Sequence, residues 1–342
     1  MTTVLEPSVE TAETAETAAD VPGTPEWIAA QGLGAVETSR LAQLHAARRD
    51  PRIFSLEGDL GDWGGPAFQA EFPDRFRDMG IAEANLIGTA AGLALGGKVS
   101  FVNTFGSFAL MRACEQVRLD VAYHRTNVKI AGSFTGIGAA FSGPTHHCGE
   151  DLAIARVLPG MTVLAPADSV ASYHLTAIAA RTEGPFYLRL GLEPTPQVYD
   201  ETATFTVGGA NVLREGTDLT LIAAGLNSVA SALKAADLLA GQGLRVRVVD
   251  LYSIKPVNRE VIVESARRTG LIVTVEEHSV HGGVGSTVAE VVAEEAPVPV
   301  RKLGLADEFS HEMCSYDDHL RRNGLDPEGI ARAAVDSFRR WK

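Results

Sequence analysis

A single acidic residue, Glu83, lies between two stretches that differ sharply in composition. It belongs to Asp78-Met-Gly-Ile-Ala-Glu-Ala-Asn85, after the charged aromatic segment 72–77 and before the small-residue run 86–97. The run predicts a helix, and a helix start favours an anion. Acids are also common in the first turn of ordinary amphipathic helices. This stretch alone therefore allows either a reactive carboxylate or a structural one.

Two further groups of chemically useful residues follow predicted strands. Thr104-Phe-Gly-Ser-Phe108 places two aromatic rings three residues apart, and Gly143-Pro-Thr-His-His147 is a turn that carries two imidazoles. Aromatic rings can stack on a flat ligand, and imidazole exchanges protons near neutral pH. Ligands of parallel sheets bind at the carboxyl ends of the strands. We expect these groups to meet Glu83 there, although core packing is an alternative for the two phenylalanines and a structural role is one for His147.

The elements that must position these residues alternate between strand and helix. In the first half, strands are predicted at 52–56, 99–105, 127–133, 161–166 and 185–190, with a long helix at 109–124. In the second half, strands are predicted at 219–223, 245–250, 271–276 and 298–303, with helices at 228–240, 259–268 and 285–295. Such alternation predicts an α/β protein with two doubly wound domains.

The predicted domains occupy 33–193 and 207–336, with a proline-punctuated linker at 194–206. Residues 1–25 are rich in Thr, Ala, Glu and Pro, and we interpret them as a disordered acidic tail, because they cannot bury enough apolar surface. Ala84, Gly88, Gly92 and Gly96 fall on one side of the helix after Glu83. This small-residue face predicts close contact with another backbone, although glycines that merely fit the core are an alternative.

Composition excludes several classes of function. The chain of 342 residues has a net charge of −13 and no basic patch, which argues against nucleic acid and anionic membranes as partners. Three scattered cysteines predict neither a disulfide framework nor a thiolate zinc site, and they suggest a cytoplasmic location. No stretch is apolar enough to predict a membrane span, and no secretory signal is recognisable.

In the order of its motifs along the sequence, the chain resembles the transketolase family from about residue 35 to 335. The resemblance rests on motifs in both halves: Gly80-Ile-Ala-Glu-Ala-Asn85, Thr104-Phe-Gly-Ser-Phe108, Gly143-Pro-Thr-His146, Asp250-Leu-Tyr-Ser-Ile-Lys-Pro256 and Val275-Glu-Glu-His278 with Gly282-Gly-Val-Gly285. It implies a pyrimidine-binding domain followed by a transketolase carboxy-terminal domain. It also implies thiamine diphosphate as the cofactor, which supplies the carbon chemistry while the protein orients it.

The resemblance assigns roles to individual residues. Glu83 is expected to contact N1′ of the aminopyrimidine and thereby to promote loss of the C2 proton of the thiazolium. Phe108 is expected to stack on the pyrimidine, and Phe105 to line its pocket. His146 is expected over the reacting carbon, bonded to the donor's hydroxyl or carbonyl group. Arg189 matches a position at which the family holds an anionic substrate group, with a surface ion pair as the alternative.

The sequence motif that holds the diphosphate in this family is not recognisable in the chain. The family's mark there is Gly-Asp-Gly followed by a paired Asn, which together hold a divalent metal; this chain has Gly58-Asp-Leu-Gly-Asp62 without the sequel. Asp59 and Leu60 of this turn are still expected to contact the cofactor. The resemblance therefore implies that no metal is held by this chain. A partner subunit is expected to supply the diphosphate site and Mg²⁺ in an α2β2 heterotetramer.

Substrate positions depart from the family pattern. Phe134 stands where the family has histidine, and Phe141 and Ser142 stand where it usually has acidic residues. These changes predict a substrate that is less polar, or one that is smaller and unphosphorylated, and its identity stays open. Besides a transketolase subunit, we consider the β subunit of a 2-oxoacid dehydrogenase-type E1 and a non-catalytic structural subunit. The motif around His146 and the phenylalanine pair favour transketolase.

Overall fold

A computed structural model of the protein describes residues 24, 27–28, 32–61, 65–192, 196–200, 202–311 and 313–342. Apart from residue 24, the predicted acidic tail at 1–25 lies outside the described residues. Within the described part of the chain, no helix is long and apolar enough to cross a bilayer.

The first half of the described chain alternates strands and helices, as predicted. Its strands are β1 (Ile53–Glu57), β2 (Phe76–Asp78), β3 (Val99–Phe105), β4 (Val128–Ser133), β5 (Thr162–Leu164) and β6 (Phe186–Arg189). Its helices are α1 (Ala35–Arg49), α2 (Gly65–Glu71), α3 (Glu83–Leu95), α4, α5 (Asp151–Val157) and α6 (Ser169–Arg181). The segment α4 consists of two π-helical stretches, Phe108–Arg112 and Val117–Tyr123, around the short α-helical turn Cys114–Gln116. The prediction of one ordinary α-helix at 109–124 is therefore wrong in its geometry.

The second half repeats the alternation. Its strands are β7 (Asn211–Arg214), β8 (Leu219–Ala223), β9 (Val246–Asp250), β10 (Ser253–Lys255), β11 (Ile272–Ser279) and β12 (Val300–Leu305). Its helices are α7 (Leu226–Ala240), α8 (Arg259–Thr269), α9 (Val284–Glu295), α10 (Tyr316–Arg322) and α11 (Pro327–Trp341). The predicted strands and helices of this half are all present.

Two mixed sheets result, and the predicted two-domain α/β architecture is confirmed. The first is a 7-stranded sheet with the order β10-β5-β6-β4-β3-β1-β2, and the second is a 5-stranded sheet with the order β12-β11-β8-β9-β7. All neighbours are parallel except β10 with β5 and β7 with β9. Each sheet is therefore parallel apart from one antiparallel strand at its edge.

The two halves of the chain share structure at their junction. Strand β10, from the motif Asp250–Pro256, adds to the edge of the first sheet. Lys255 of this strand donates from Nζ to the carbonyl of Arg156, at 2.8 Å, and to that of Leu158. Tyr199 and Phe205, in the segment predicted as a linker, are buried in the apolar core. The segment therefore packs against both halves rather than spacing them apart.

A buried acid at this junction gives the chain a testable pH dependence. Burial raises the pKa of Asp250 to about 8, while its hydrogen bond from Tyr199, at 2.5 Å, acts in the opposite direction. Its pKa in the unfolded chain is about 4. The folded state binds the extra proton, so this stabilisation is complete below about pH 4 and is lost as the pH rises through about 8.

Asp250→Asn should remove that loss, because asparagine does not ionise and still accepts a hydrogen bond from Tyr199. We expect the melting temperature of the variant, relative to wild type, to rise steadily between about pH 5 and about pH 8. Asp218→Asn is the matched control, because the hydrogen bond from the Arg245 amide lowers that pKa instead. The prediction would be contradicted if the melting temperatures of wild type and Asp250→Asn changed with pH in the same way.

Candidate active site

Helix α3 begins at Glu83, and the turn before it is held by one carboxylate. Asp78 accepts hydrogen bonds from the Gly80 amide, at 2.8 Å, and from the Asp59 amide, at 3.2 Å. Gly80 has a φ of +67°, a conformation that glycine adopts without strain. The bonds of Asp78 therefore place Asp59 and its neighbour Leu60 beside the start of α3. A contact of Asp59 and Leu60 with a cofactor stays a prediction.

Glu83 itself is a buried carboxylate with one cationic partner. Its side chain is 1% exposed, and its Oε2 lies 2.8 Å from Nη1 of Arg112, whose side chain is 48% exposed. The guanidinium carbon of Arg112 lies 4.2 Å from the ring centroid of Phe108. Sequence reasoning missed Arg112, although its place four residues after Phe108 on a helical segment was a signal that the two side chains are neighbours.

Three phenylalanines and a histidine form one aromatic cluster beside Glu83. The ring of Phe105 lies edge-to-face with Phe108, Phe134 and His146, at centroid distances of 5.5, 4.6 and 5.6 Å. Phe108 meets His146 at 5.3 Å. Such pairs each contribute about 0.5–1.5 kcal/mol beyond their buried area. The structure therefore brings together Glu83, Phe105, Phe108 and His146, which the sequence singled out separately.

The sheet register explains why Phe134 lies beneath Phe105. Phe105 ends β3 opposite Ser133, the last residue of β4, so the next residue, Phe134, emerges at the same sheet edge. Phe134 has a φ of +56°, which is unusual for a bulky residue, and its side chain is 2% exposed. Its side chain is packed against Phe105 rather than presented to solvent. Phe134 is therefore predicted to affect the substrate site indirectly, by supporting the ring of Phe105.

His146 is held on a loop that both halves of the chain contact. Its Nδ1 lies 2.9 Å from Oγ1 of Thr145. Earlier in the loop, Ser142 is partly exposed and Phe141 is 58% exposed. Gly143, with a φ of +72°, packs beside Met313 of the second half. Ser142 and Phe141 therefore lie at the surface of the loop that carries His146, and a substrate contact of Ser142 stays a prediction.

The two other histidines of the sequence motifs, His147 and His278, contact residues outside the aromatic cluster. His147 packs edge-to-face on His319 at 5.1 Å, and burial together with His319 lowers the pKa of His147. His278 accepts from the Ala153 amide at Nε2 and donates from Nδ1 to the carbonyl of Ser279. Burial lowers the pKa of His278, which fits a neutral ring that joins the two halves of the chain.

The side chain of Arg189 is also buried, and its nitrogen atoms bond groups inside the protein. Its Nε donates to Asp151, at 2.8 Å, and its Nη2 to the carbonyl of Glu277, at 2.8 Å. Tyr187 donates to the same Asp151 oxygen. The arginine is 5% exposed and Asp151 is fully buried. The sequence predicts that Arg189 holds an anionic substrate group or pairs with a surface acid. In the structure Arg189 forms a buried ion pair with Asp151, and its bond to the Glu277 carbonyl connects β6 to the second half of the chain. A substrate contact of Arg189 stays a prediction.

The residues near Glu83 suit an aminopyrimidine ring. Among the described residues only Arg112 bonds the Glu83 carboxylate, through Oε2, so Oε1 is left for a ring nitrogen. The aromatic cluster offers faces for stacking. Within the described ranges, no group of three or more His, Cys, Asp or Glu side chains is arranged to hold a metal ion. The donor set therefore fits the pyrimidine half of thiamine diphosphate.

Comparison with family models covers most of the chain. Residues 33–194 match the model described as transketolase, pyrimidine binding domain. Residues 208–330 match the model described as transketolase, C-terminal domain. The motifs that suggested the resemblance lie within these two matches.

Similar proteins include chains that are named as transketolase subunits. The 6-deoxy-6-sulfo-D-fructose transketolase subunit SqwH of Clostridium sp. (strain MSTE9) is 43% identical over 85% of this chain and 90% of that one. A subunit of the apulose-4-phosphate transketolase of Phocaeicola vulgatus is 40% identical over 86% of this chain and 94% of that one.

Among solved structures, a split gene transketolase, an inactive beta4 tetramer, matches with a TM-score of 0.85 at 41% identity and covers 91% of this chain and 100% of its own. Transketolase from Leishmania mexicana shares the fold, with a TM-score of 0.75 at 21% identity and 46% of that chain covered.

Proposed function

The chain belongs to the transketolase family, and we propose that it is the pyrimidine-binding subunit of a split transketolase. The enzyme transfers a two-carbon ketol unit with thiamine diphosphate. The observation that carries the proposal is the buried Glu83 carboxylate beside the cluster of Phe105, Phe108 and His146. The E1-type alternative gains no support, because the similar proteins with 43% and 40% identity are named transketolase subunits.

Each residue of the site has a separate task. Glu83 accepts a hydrogen bond from N1′ of the aminopyrimidine. Phe108 stacks on that ring, and Phe105, backed by Phe134, forms its pocket. His146 binds the donor's hydroxyl or carbonyl oxygen and exchanges a proton with it. Bound thiamine diphosphate supplies the carbanion chemistry that no side chain provides.

A second polypeptide completes the site in this proposal. It holds the diphosphate and the Mg²⁺ ion, and it closes the cleft over Glu83. We propose an α2β2 heterotetramer in which two copies of this chain meet through the small-residue face. The similar split gene transketolase of known structure is a tetramer of β chains that is described as inactive. The cytoplasmic location suggested by the cysteines is part of the same proposal.

The substrate is proposed to be a modified ketose rather than an ordinary sugar phosphate. Phe141 and Ser142 stand at positions where the family usually has acidic residues, and the buried Phe134 replaces a histidine beneath Phe105. Similar proteins are named for 6-deoxy-6-sulfo-D-fructose and for apulose-4-phosphate. Of these two, 6-deoxy-6-sulfo-D-fructose carries no phosphate group, which agrees with the expectation of an unphosphorylated substrate.

The test is ketol transfer by the chain combined with its diphosphate-binding partner. With Mg²⁺, thiamine diphosphate and an aldose acceptor, we expect the complex to transfer a two-carbon unit from 6-deoxy-6-sulfo-D-fructose to the acceptor. The donor is released as an aldose two carbons shorter, and the acceptor becomes a ketose two carbons longer. We expect this transfer to be faster than the transfer from fructose 6-phosphate. A preference for fructose 6-phosphate would overturn the substrate proposal alone. Failure to use any ketose donor would overturn the transketolase proposal.

A further inference from the structure

Arg112 contacts both of the side chains that are assigned above to the aminopyrimidine. Its Nη1 lies 2.8 Å from Oε2 of Glu83, and its guanidinium carbon lies 4.2 Å from the ring centroid of Phe108. We propose that Arg112 is a positioning residue, which holds the Glu83 carboxylate in one orientation while leaving the second carboxylate oxygen for the cofactor. This inference rests on the proposed function of Glu83.

The contact uses only half of the carboxylate. Arg112 can form a bidentate pair with a carboxylate, in which both oxygens are occupied. Here one nitrogen bonds one oxygen, and no other described residue bonds Oε1 of Glu83. Because Glu83 is 1% exposed, water cannot hold its orientation as it would at the surface. The single bond from Arg112 therefore determines which oxygen is available to a ligand.

The local backbone accounts for the position of Arg112. The amide of Ala113 donates to the carbonyl of Phe108, at 3.1 Å, which is the wide turn of a π-helix. The wide turn returns the chain so that Arg112 lies over the ring of Phe108 and still reaches Glu83 on α3. Isolated π-helical turns occur frequently at functional sites.

The electrostatic consequence is specific to the reaction. An anionic Glu83 accepts the hydrogen bond of a protonated ring nitrogen better than a neutral carboxylic acid would. Arg112 thus supports the same step as Glu83 without touching the reacting carbon. The alternative is that the Arg112 side chain covers Glu83 and Phe108 and must be displaced before the cofactor binds. The test below distinguishes a positioning role from this obstructing role.

The test compares Arg112→Met and Arg112→Lys in the complex with the partner subunit. Thiamine diphosphate affinity is measured by calorimetry, and exchange of the cofactor's C2 proton is measured by NMR at saturating cofactor. We expect Arg112→Met to weaken affinity and to slow exchange by about 10- to 100-fold, the range for loss of a hydrogen bond to a charged group. Arg112→Lys should restore part of both, because an ammonium can still reach Oε2.

Three comparisons make the outcome decisive. Arg118→Met, which removes an exposed arginine from the same helical segment, should change neither quantity. If Arg112→Met also leaves cofactor affinity and the exchange rate unchanged, the inference is wrong. If Arg112→Met tightens cofactor binding and speeds exchange, Arg112 obstructs the site, and the inference is wrong as well. Glu83→Gln is measured in parallel: retention of exchange there would overturn the proposed function itself. Loss of exchange in Glu83→Gln with a normal Arg112→Met would overturn only the role of Arg112.

Discussion

Replacing Glu83 with glutamine is expected to slow C2 proton exchange by about 10²- to 10⁴-fold, the usual contribution of a positioned acid or base. Glutamine is nearly the same size, so packing around this buried position should change little. The carboxamide carries no negative charge, however, and cannot stabilise a protonated ring nitrogen. Because the partner Arg112 is half exposed, water can solvate its charge once the ion pair is lost.

The measurement is hydrogen–deuterium exchange at C2 of thiamine diphosphate in the assembled complex, with the unfolding midpoint and the mass of the complex as checks on the fold. Glu115→Gln provides the control, since Glu115 is an exposed acid on the neighbouring helical segment. An exchange rate for Glu83→Gln within about threefold of wild type, far less than the loss expected for an acid or base, would mean that another group holds N1′.

Replacing Gly92 with leucine is expected to break the assembly and, with it, the activity. Gly92 is exposed on α3, and among the described residues a Cβ added there meets no atom within 4 Å outside the helix's own backbone. At Gly88 a Cβ would meet Asp120, at 3.9 Å. Leucine at position 92 should therefore leave the isolated chain folded, and it should even favour the helix, by roughly 1 kcal/mol relative to glycine. Any loss of assembly then reports on an interface.

Light scattering on the variant mixed with its partner subunit measures the effect. We expect a smaller complex for Gly92→Leu and a normal one for Gly92→Ala, which adds a single methyl group. Ala240→Leu, on an exposed position of α7 in the second half, controls for the added apolar surface. A heterotetramer of unchanged mass with normal activity in Gly92→Leu would rule out the small-residue face as the contact between β chains.

The fold could be predicted where segments are long and regularly patterned. Strands such as β3 and β11 and helices such as α7 carry enough apolar residues to be recognised in isolation. Strands β2 and β10 contain three residues each, too few to show alternation, and they form because a sheet edge is available to them. Helix α11 is a different case, because the sequence does signal its start. Asp326 followed by Pro327 is a typical helix start, and it was not used above to predict a helix.

The proximity of some site residues could be predicted, but their partners could not. Phe105, Phe108 and His146 could be expected to meet because their motifs follow predicted strands, and parallel strands end at one edge of the sheet. Glu83 was singled out by the change of composition around it and by the family resemblance, and the roles of all four residues stay predictions. The ion pair of Glu83 with Arg112 depends on a π-helical turn that no periodicity indicates. Nothing in the sequence indicates that Asp151, 38 residues away, is buried against Arg189.

The central claim is that this chain supplies one half of a thiamine diphosphate site. The most direct test measures C2 proton exchange of thiamine diphosphate, in the presence of Mg²⁺, with this chain alone, with the partner subunit alone and with both together. The account predicts exchange above the solution rate only when both subunits are present. Rapid exchange by this chain alone, or by the partner alone, would contradict it.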